Sequence, residues 1–287
     1  MSVIVRAGDG PGTGVGDPWM LTTGGPDVVI VDRNGAVWRW RPADRNGHGT
    51  LGIIRIGGSV TWGSDIRDVE TYVQNAEAGL YNLYVVDPSA RQILRYSPAA
   101  DGSGFPGDPT GYLATAADVS TYEQIFVDGD IYALAPDTVT RFVNGRPDSF
   151  SPQTPPDDQD LRPGHQYQLV TGSSTRQQGT LYVYDAEHQR IVAFDKGYGA
   201  YVGEYLASPG TPPFADVRGM YLVEPGGGKT PSIVWVTRDR ILVTILQAAA
   251  PSASPSTSPS ASPATTPRTK PKATPSPRRT ARPTATP

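Results

Sequence analysis

The sequence predicts an all-β fold, a β-propeller of five blades. Three observations carry that reading. Residues 83–96, LYVVDPSARQILRY, return almost unchanged 98 residues later as residues 181–194, LYVYDAEHQRIVAF. Looser copies of the same phrase stand at residues 28–40 (VVIVDRNGAVWRW), 131–142 (IYALAPDTVTRF) and 233–245 (IVWVTRDRILVTI). Ahead of four of these five phrases, an aspartate opens a short segment leading into a β-rich run: Asp17, Asp65, Asp118 and Asp216, spaced by 48, 53 and 98 residues. A period of about 50 residues holding about four short strands is the mark of a propeller. One such sheet is apolar on both faces, and stacking sheets around an axis covers both.

Each phrase reads as a hairpin: an apolar β-rich run, a tight polar turn, then a second run. The turns DRNGA, DPSARQ, PD, DAEHQR and TRDR hold the Asp, Asn, Gly and Pro that turns require. The innermost strands come from DPWMLTT, DIRDVETYV, DVSTYEQIFV and DVRGMYLVE, and in the fourth unit HQYQLVTG, near Gly164, stands in without the aspartate. Residues 51–56, 111–114 and 201–206 follow as outer strands. The last unit has three strands, at 218–223, 233–236 and 241–245, while an orphan run at 3–6 precedes every hairpin. Residues 3–6 are therefore expected to supply the last blade's outer strand and clasp a five-bladed ring. With a truncated N-terminus the native ring has six.

The propeller domain is read as residues 1–247, and residues 248–287 as a tail of Pro, Ser, Thr and Ala with a few cations. The tail lacks periodic apolar positions and cannot offset its ordering entropy, so disorder with polyproline character is expected. Its six Lys/Arg and no acids leave the rest of the chain acidic, since the whole has 25 Lys+Arg against 28 Asp+Glu. An acidic body argues against nucleic-acid binding, and the cationic tail allows weak contact with anionic surfaces. No apolar run reaches the roughly 18 residues that span a bilayer. The opening MSVIVRAGDGPG has no signal-peptide pattern. Without cysteine, disulfides and thiolate metal sites are excluded.

The hairpins carry a family resemblance. NLYVVDPSARQILRYSP and TLYVYDAEHQRIVAFDKGYGAYVGEY resemble NHL-type propeller repeats: a strand ending in Val-x-Asp, a polar turn, an Arg-containing second strand closing on an aromatic, then Gly and an outer strand. The likeness covers residues 17–246 loosely. Units three and five depart from it, with Ala135 and Thr237 where the better copies have Asp87 and Asp185. The succession TWGSDIRDVETY, NLYVVDPSARQILRYSP, DPTGYLA, VDGDIYAL and RIVAFDK is similar to a bacterial propeller module found C-terminal to PPM-type Ser/Thr phosphatase domains and in surface proteins. That resemblance implies a sensory or scaffolding role, with placement outside the cytoplasm if the chain belongs to a longer product. No phosphatase domain is present here, so no phosphatase activity is carried over. In such modules the first blade begins upstream of a stretch like SVIVRAGDG.

Several motifs fail as chemistry. EPGGGKT (224–230) would need Gly where Val223 stands to be a P-loop, and reads as a hairpin loop. DRNGAVW resembles the Asp-box of sialidase-like propellers, with its Gly one residue late and the leading Ser missing. His48, His165 and His188 show no metal-type spacing, and no G-x-S-x-G occurs. GDGPGTGVGD (8–17) and DGSGFPGD (101–108) offer oxygens to Ca²⁺ but lack EF-hand spacing and read as loops.

Asp65, Asp118 and Asp216, with Arg67 and Arg218, remain. If each aspartate opens an innermost strand, together they ring one mouth of the central channel. Such a ring could hold a metal or cationic ligand, as in lactonase-type propellers. Alternatively each aspartate accepts main-chain N–H bonds at a blade-to-blade turn, and the regular repetition favours this structural role. Trp19 and Trp62, beside loops, are candidate binding anchors. Trp38, Trp40, Tyr96, Phe142 and Phe194 are expected between blades. The expected function is a non-catalytic module, without cofactor, binding a protein, glycan or small molecule on one face. The alternative is a metal-dependent lactonase or hydrolase with its site in the channel.

Overall fold

The computed structural model describes residues 5–43, 48–57, 62, 65–156, 160–161, 169–171, 177–206, 214, 217–223, 232–237 and 241–245. The chain divides into Met1–Ala249 and Ala250–Pro287, and all described residues fall in the first unit. The segment read as a disordered tail lies outside them. Among the described residues the regular structure is entirely β, and no helix is long and apolar enough to cross a membrane.

Blade one is a four-stranded sheet of β1 (Pro18–Gly24), β2 (Asp27–Asp32), β3 (Val37–Pro42) and β4 (Gly49–Ile53), followed by the short β5 (Arg55–Ile56). Blade two holds β6 (Val69–Asn75), β7 (Leu80–Asp87), β8 (Gln92–Tyr96) and, after the short β9 (Gly104–Phe105), β10 (Thr110–Gly111). Blade three is β11 (Gln124–Val127), β12 (Ile131–Ala135), β13 (Thr138–Val143) and β14 (Arg146–Pro147). In blade four, β15 (Leu169–Thr171), β16 (Thr180–Asp185), β17 (Arg190–Asp195) and β18 (Tyr201–Tyr205) follow in order. Blade five has three described strands, β19 (Gly219–Val223), β20 (Ser232–Val236) and β21 (Ile241–Ile245). This is the five-bladed propeller the repeats predict, with each predicted hairpin at the centre of its own sheet. Successive innermost strands β1, β6, β11, β15 and β19 are neighbours along the axis.

Two features were not predicted. Blade three closes with β14, and β5 pairs with β9 in parallel, strapping the periphery of blade one to blade two. The expected closing strand at residues 3–6 is described only from Val5 onward. Val5 lies on blade one, packed with Val15, Ile30 and Trp38.

Side chains alternate across each strand, so every sheet offers an apolar face to each neighbour. Val29, Val31 and Val37 of blade one meet Tyr81, Leu83 and Val85 of blade two. Tyr84, Val86 and Ile93 on the reverse of blade two meet Ile125, Ile131 and Phe142 of blade three. Tyr132, Leu134 and Val139 then meet Leu181, Val183 and Phe194 of blade four. Tyr182, Tyr184 and Ile191 meet Met220, Ile233 and Trp235 of blade five. Buried charged groups reinforce two of these boundaries, one by a hydrogen bond and one by an ion pair. The buried Asp27 carboxylate accepts from Arg41 Nε (2.6 Å) and Nη2 (2.8 Å) of its own blade and from the Tyr81 hydroxyl (3.3 Å) of the next. Lys196 of blade four, fully buried, pairs with Asp128 of blade three.

Turn chemistry sets the hairpins. Asp87 Oδ1 accepts the Ser89 N–H (2.9 Å), and Arg91 N–H closes the turn on the Pro88 carbonyl (3.1 Å). Arg91 (φ 53°) and the matching Gln189 (φ 51°) both sit in the left-handed region, which lets the second strand leave in register.

Candidate functional site

The cross-strand register fixes which residues share a place in each blade. Leu21 opposes Ile30, Val69 opposes Val85, Ile125 opposes Ala133, and Met220 opposes Trp235. The main-chain N–H groups of Arg67, Glu123 and Arg218 bond to the carbonyls of Val86, Leu134 and Val236, at 2.9, 2.9 and 2.7 Å. These three residues therefore hold one position, at the start of their innermost strands. That start lies on the same face of the propeller as the turns after Asp32, Asp87 and Asp185, here termed the turn face.

On this frame the predicted site residues separate. Arg67 and Arg218 occupy matching places just ahead of β6 and β19, with exposed side chains. Asp65 lies two residues ahead of Arg67 and is exposed. Asp216, its counterpart ahead of Arg218, is outside the described residues. Asp118 stands five residues ahead of Glu123, so it is not their equivalent. It is exposed and accepts the Ser120 N–H (3.0 Å) and hydroxyl (2.6 Å), bonds that hold its carboxyl below the usual range. Trp19 is half-buried beneath the Arg33 guanidinium, 4.8 Å from its ring centroid. Trp62 donates its indole N–H to the Tyr96 hydroxyl (2.6 Å) and packs against the core between blades one and two.

A different pair of carboxylates lies deeper. Asp68 immediately precedes β6 and Glu70 lies within it, so the two, spaced by two in extended backbone, project to one side. Asp68 Oδ2 accepts the Ile125 N–H of blade three at 2.7 Å. Glu70 Oε1 accepts the Thr22 hydroxyl of blade one at 3.1 Å. Each carboxylate thus bridges blade two to a neighbour. Solvent reaches both only partly, and enclosure by the surrounding strands disfavours their charged forms. Asp68 is pushed up to about 7, against the pull of the Ile125 and Val69 N–H groups. Glu70 is pushed up to about 8, first by burial and then by the charge of Asp68. Tyr221 of blade five takes the place that Glu70 has in blade two. Its phenol is raised by burial, with the Glu70 charge adding to the effect. Both carboxyls are thereby shifted from the usual carboxylate range toward neutral pH.

The carboxylates that give the repeat its Val-x-Asp signature have another task. Asp32 accepts the Gly16 N–H (2.9 Å) and the Trp38 indole N–H (3.0 Å). Asp185 accepts from Arg190 Nε (2.9 Å) and lies 2.8 Å from His188 Nδ1. They clamp turns. The two Gly-rich acidic loops are likewise self-bonded: Asp9 accepts the Arg6 N–H (2.7 Å) and Asp101 the Ser103 N–H (2.9 Å). Among the described residues no three His, Asp or Glu gather as a metal group would. EPGGGKT and His165 lie outside the described residues.

Register separates Asp68 and Glu70 from the residues that sequence reasoning chose. The signal was nonetheless present in DVETYV: acids two apart in a strand share a face.

No protein-family model matches the chain, and no curated protein matches it. Among solved structures it is similar to the PQQ-bound aldose sugar dehydrogenase of Streptomyces coelicolor, at 13% identity and TM-score 0.46, over 82% of this chain and 78% of that one. It is also similar to the glutaminyl cyclase of Myxococcus xanthus, at 13% identity and TM-score 0.43, over 80% of this chain and 91% of that one. A third likeness is to the computationally designed Ika8 protein, at 14% identity and TM-score 0.41, over 80% of this chain. The match spans 59% of that protein's length. These are likenesses of fold alone.

Proposed function

We propose that this propeller is a non-catalytic binding module of the NHL-like kind, the ligand-reading part of a sensor or scaffold. Its ligand, a protein segment, glycan or small molecule bearing acidic groups, sits over the turn-face mouth. One observation supports this above others. Arg67 and Arg218 hold matching positions just ahead of separate innermost strands, both exposed, while the nearby carboxylates are already engaged between blades. A guanidinium recognises a carboxylate or phosphate by two parallel N–H···O bonds.

Calorimetric titration with polygalacturonate and with neutral dextran tests the reading. Binding of the acidic polymer alone, weakened roughly tenfold by R67A together with R218A and falling with salt, supports it. Equal affinity for both polymers, or indifference to the double substitution, refutes it. Repeating the titration with Ca²⁺ and with EDTA decides whether a metal contributes.

A second reading has its own observation. A carboxyl pair poised near neutrality in a channel is also how acid–base catalysts are built. Turnover of a lactone or ester panel that disappears in D68N and E70Q would favour an enzyme over a binding module.

A further inference from the structure

Among the described residues four blade boundaries are closed, while the trailing face of blade five is exposed and the leading face of blade one is covered at its centre and exposed at Leu21 and Ile53. The trailing face of blade five is an apolar surface interrupted only at Ser232 among its described positions. In its three cross-strand rows Gly219 opposes Val236 and Ile241, Tyr221 opposes Val234 and Val243, and Val223 opposes Ser232 and Ile245. The three strands carry no charged residue. Yet Tyr221, Val223, Ile241, Val243 and Ile245 are 47–66% exposed, while the other face of the same sheet is packed on blade four. At the opposite end of the arc, Leu21 and Ile53 of blade one's leading face are 57% and 59% exposed. Between them in the same row, Ile30 and Trp38 are covered by Val5 and Val15.

Every other trailing face in the molecule is covered by one thing, a sheet of this same repeat. The bare face is one blade in size. Three strands of five residues present roughly 240 Å², from strand spacings of about 4.8 Å and rises of about 3.3 Å. A separate protein, or a second copy of this chain, needs about 800 Å² on each side to stay bound. A covalently joined sheet escapes the association entropy that sets that requirement.

We propose that a sixth four-stranded blade of the same repeat, carried on the same polypeptide, seats between the trailing face of blade five and the leading face of blade one. Its own faces are apolar and uncharged, and its outer edge runs beside the edge of β21 that carries no partner strand among the described residues.

The chain has no cysteine, so a single introduced thiol reports exposure cleanly. Val243→Cys probes one wall, Ile53→Cys the other, and Tyr198→Cys, at a site 79% exposed, is the control. Labelling rates are compared between residues 1–287 alone and the product of the gene's complete reading frame. All three thiols should react alike in residues 1–287. In the complete product Val243→Cys and Ile53→Cys should slow roughly tenfold or more, as sites open only by local unfolding do, with the control unchanged. Equal rates in both proteins overturn the proposal, as does a reading frame that adds no further repeat. Protection of Val243→Cys in residues 1–287 that grows with protein concentration would also overturn it, by assigning the face to a second copy.

Discussion

Asp68 of blade two accepts the main-chain N–H of Ile125 of blade three, 57 residues away, at 2.7 Å. A side chain of one innermost strand thereby caps the next. Ala at position 68 leaves that N–H without its acceptor and should cost about 1–2 kcal/mol in a urea unfolding midpoint. Asn keeps a carbonyl oxygen in place, so D68N should lose much less. Equal losses in the two variants would show that the bond contributes nothing.

The same pair sets a pH dependence. Unfolded carboxyls titrate near 4, whereas folded Asp68 and Glu70 titrate at about 7 and about 8. Between those limits the folded protein binds more protons than the unfolded one. The pair's contribution is therefore fully present below about pH 4 and is lost as pH rises through 7 to 8. Urea midpoints should fall between about pH 5 and pH 8. In D68N/E70Q that fall should be shallower, and an unchanged slope would contradict the assignment.

Lys196 is fully buried against Asp128 across the boundary of blades three and four. Truncating it to Ala strands the Asp128 carboxylate and should cost about 3–5 kcal/mol. Calorimetry of K196A beside the K196M/D128L pair, in which both charges are gone, separates the ion pair from the packing. The double variant should recover most of the loss.

Gln189 holds a left-handed conformation, at φ 51°, that a side chain resists. Gly adopts it freely, so Gln189→Gly should raise stability by about 1 kcal/mol. Arg91→Gly, at φ 53°, should do the same in the matching turn. A lowered melting temperature in both would mean that their side chains contribute more than the backbone strain removes.

Leu83 and Leu181 hold matching positions in blades two and four, and both are wholly buried. Their replacement by Ala should cost a similar amount, about 2–5 kcal/mol each. Chemical denaturation of the two variants checks both the magnitude and the equivalence.

The hairpins were legible because their information is local. Val-x-Asp followed by a polar turn specifies a reversal wherever it stands, and even the degenerate copies at Ala135 and Thr237 fold as hairpins. Short pieces such as β5 and β9 were not legible, because two residues carry no period and their parallel pairing joins sites some 49 positions apart. The channel pair was overlooked for another reason. Asp65, Asp118 and Asp216 recur in the text, but recurrence marks positions that all blades need. Asp68 and Glu70 have no acidic counterpart: Glu70's place is taken by Thr22, Phe126 and Tyr221 in other blades. Trp62 looked like an anchor because it stands beside Gly and Thr, yet its indole is tied to Tyr96.

Among the described residues each core cluster joins one sheet to the next, so cohesion is shared out link by link, as in a chain of magnets. Among the described residues the last sheet shares a core with one neighbour where the inner ones share cores with two. Amide protons of Ile241, Val243 and Ile245 should accordingly exchange with deuterium first, and those of Leu83 and Val85 last, as the molecule unzips from that end.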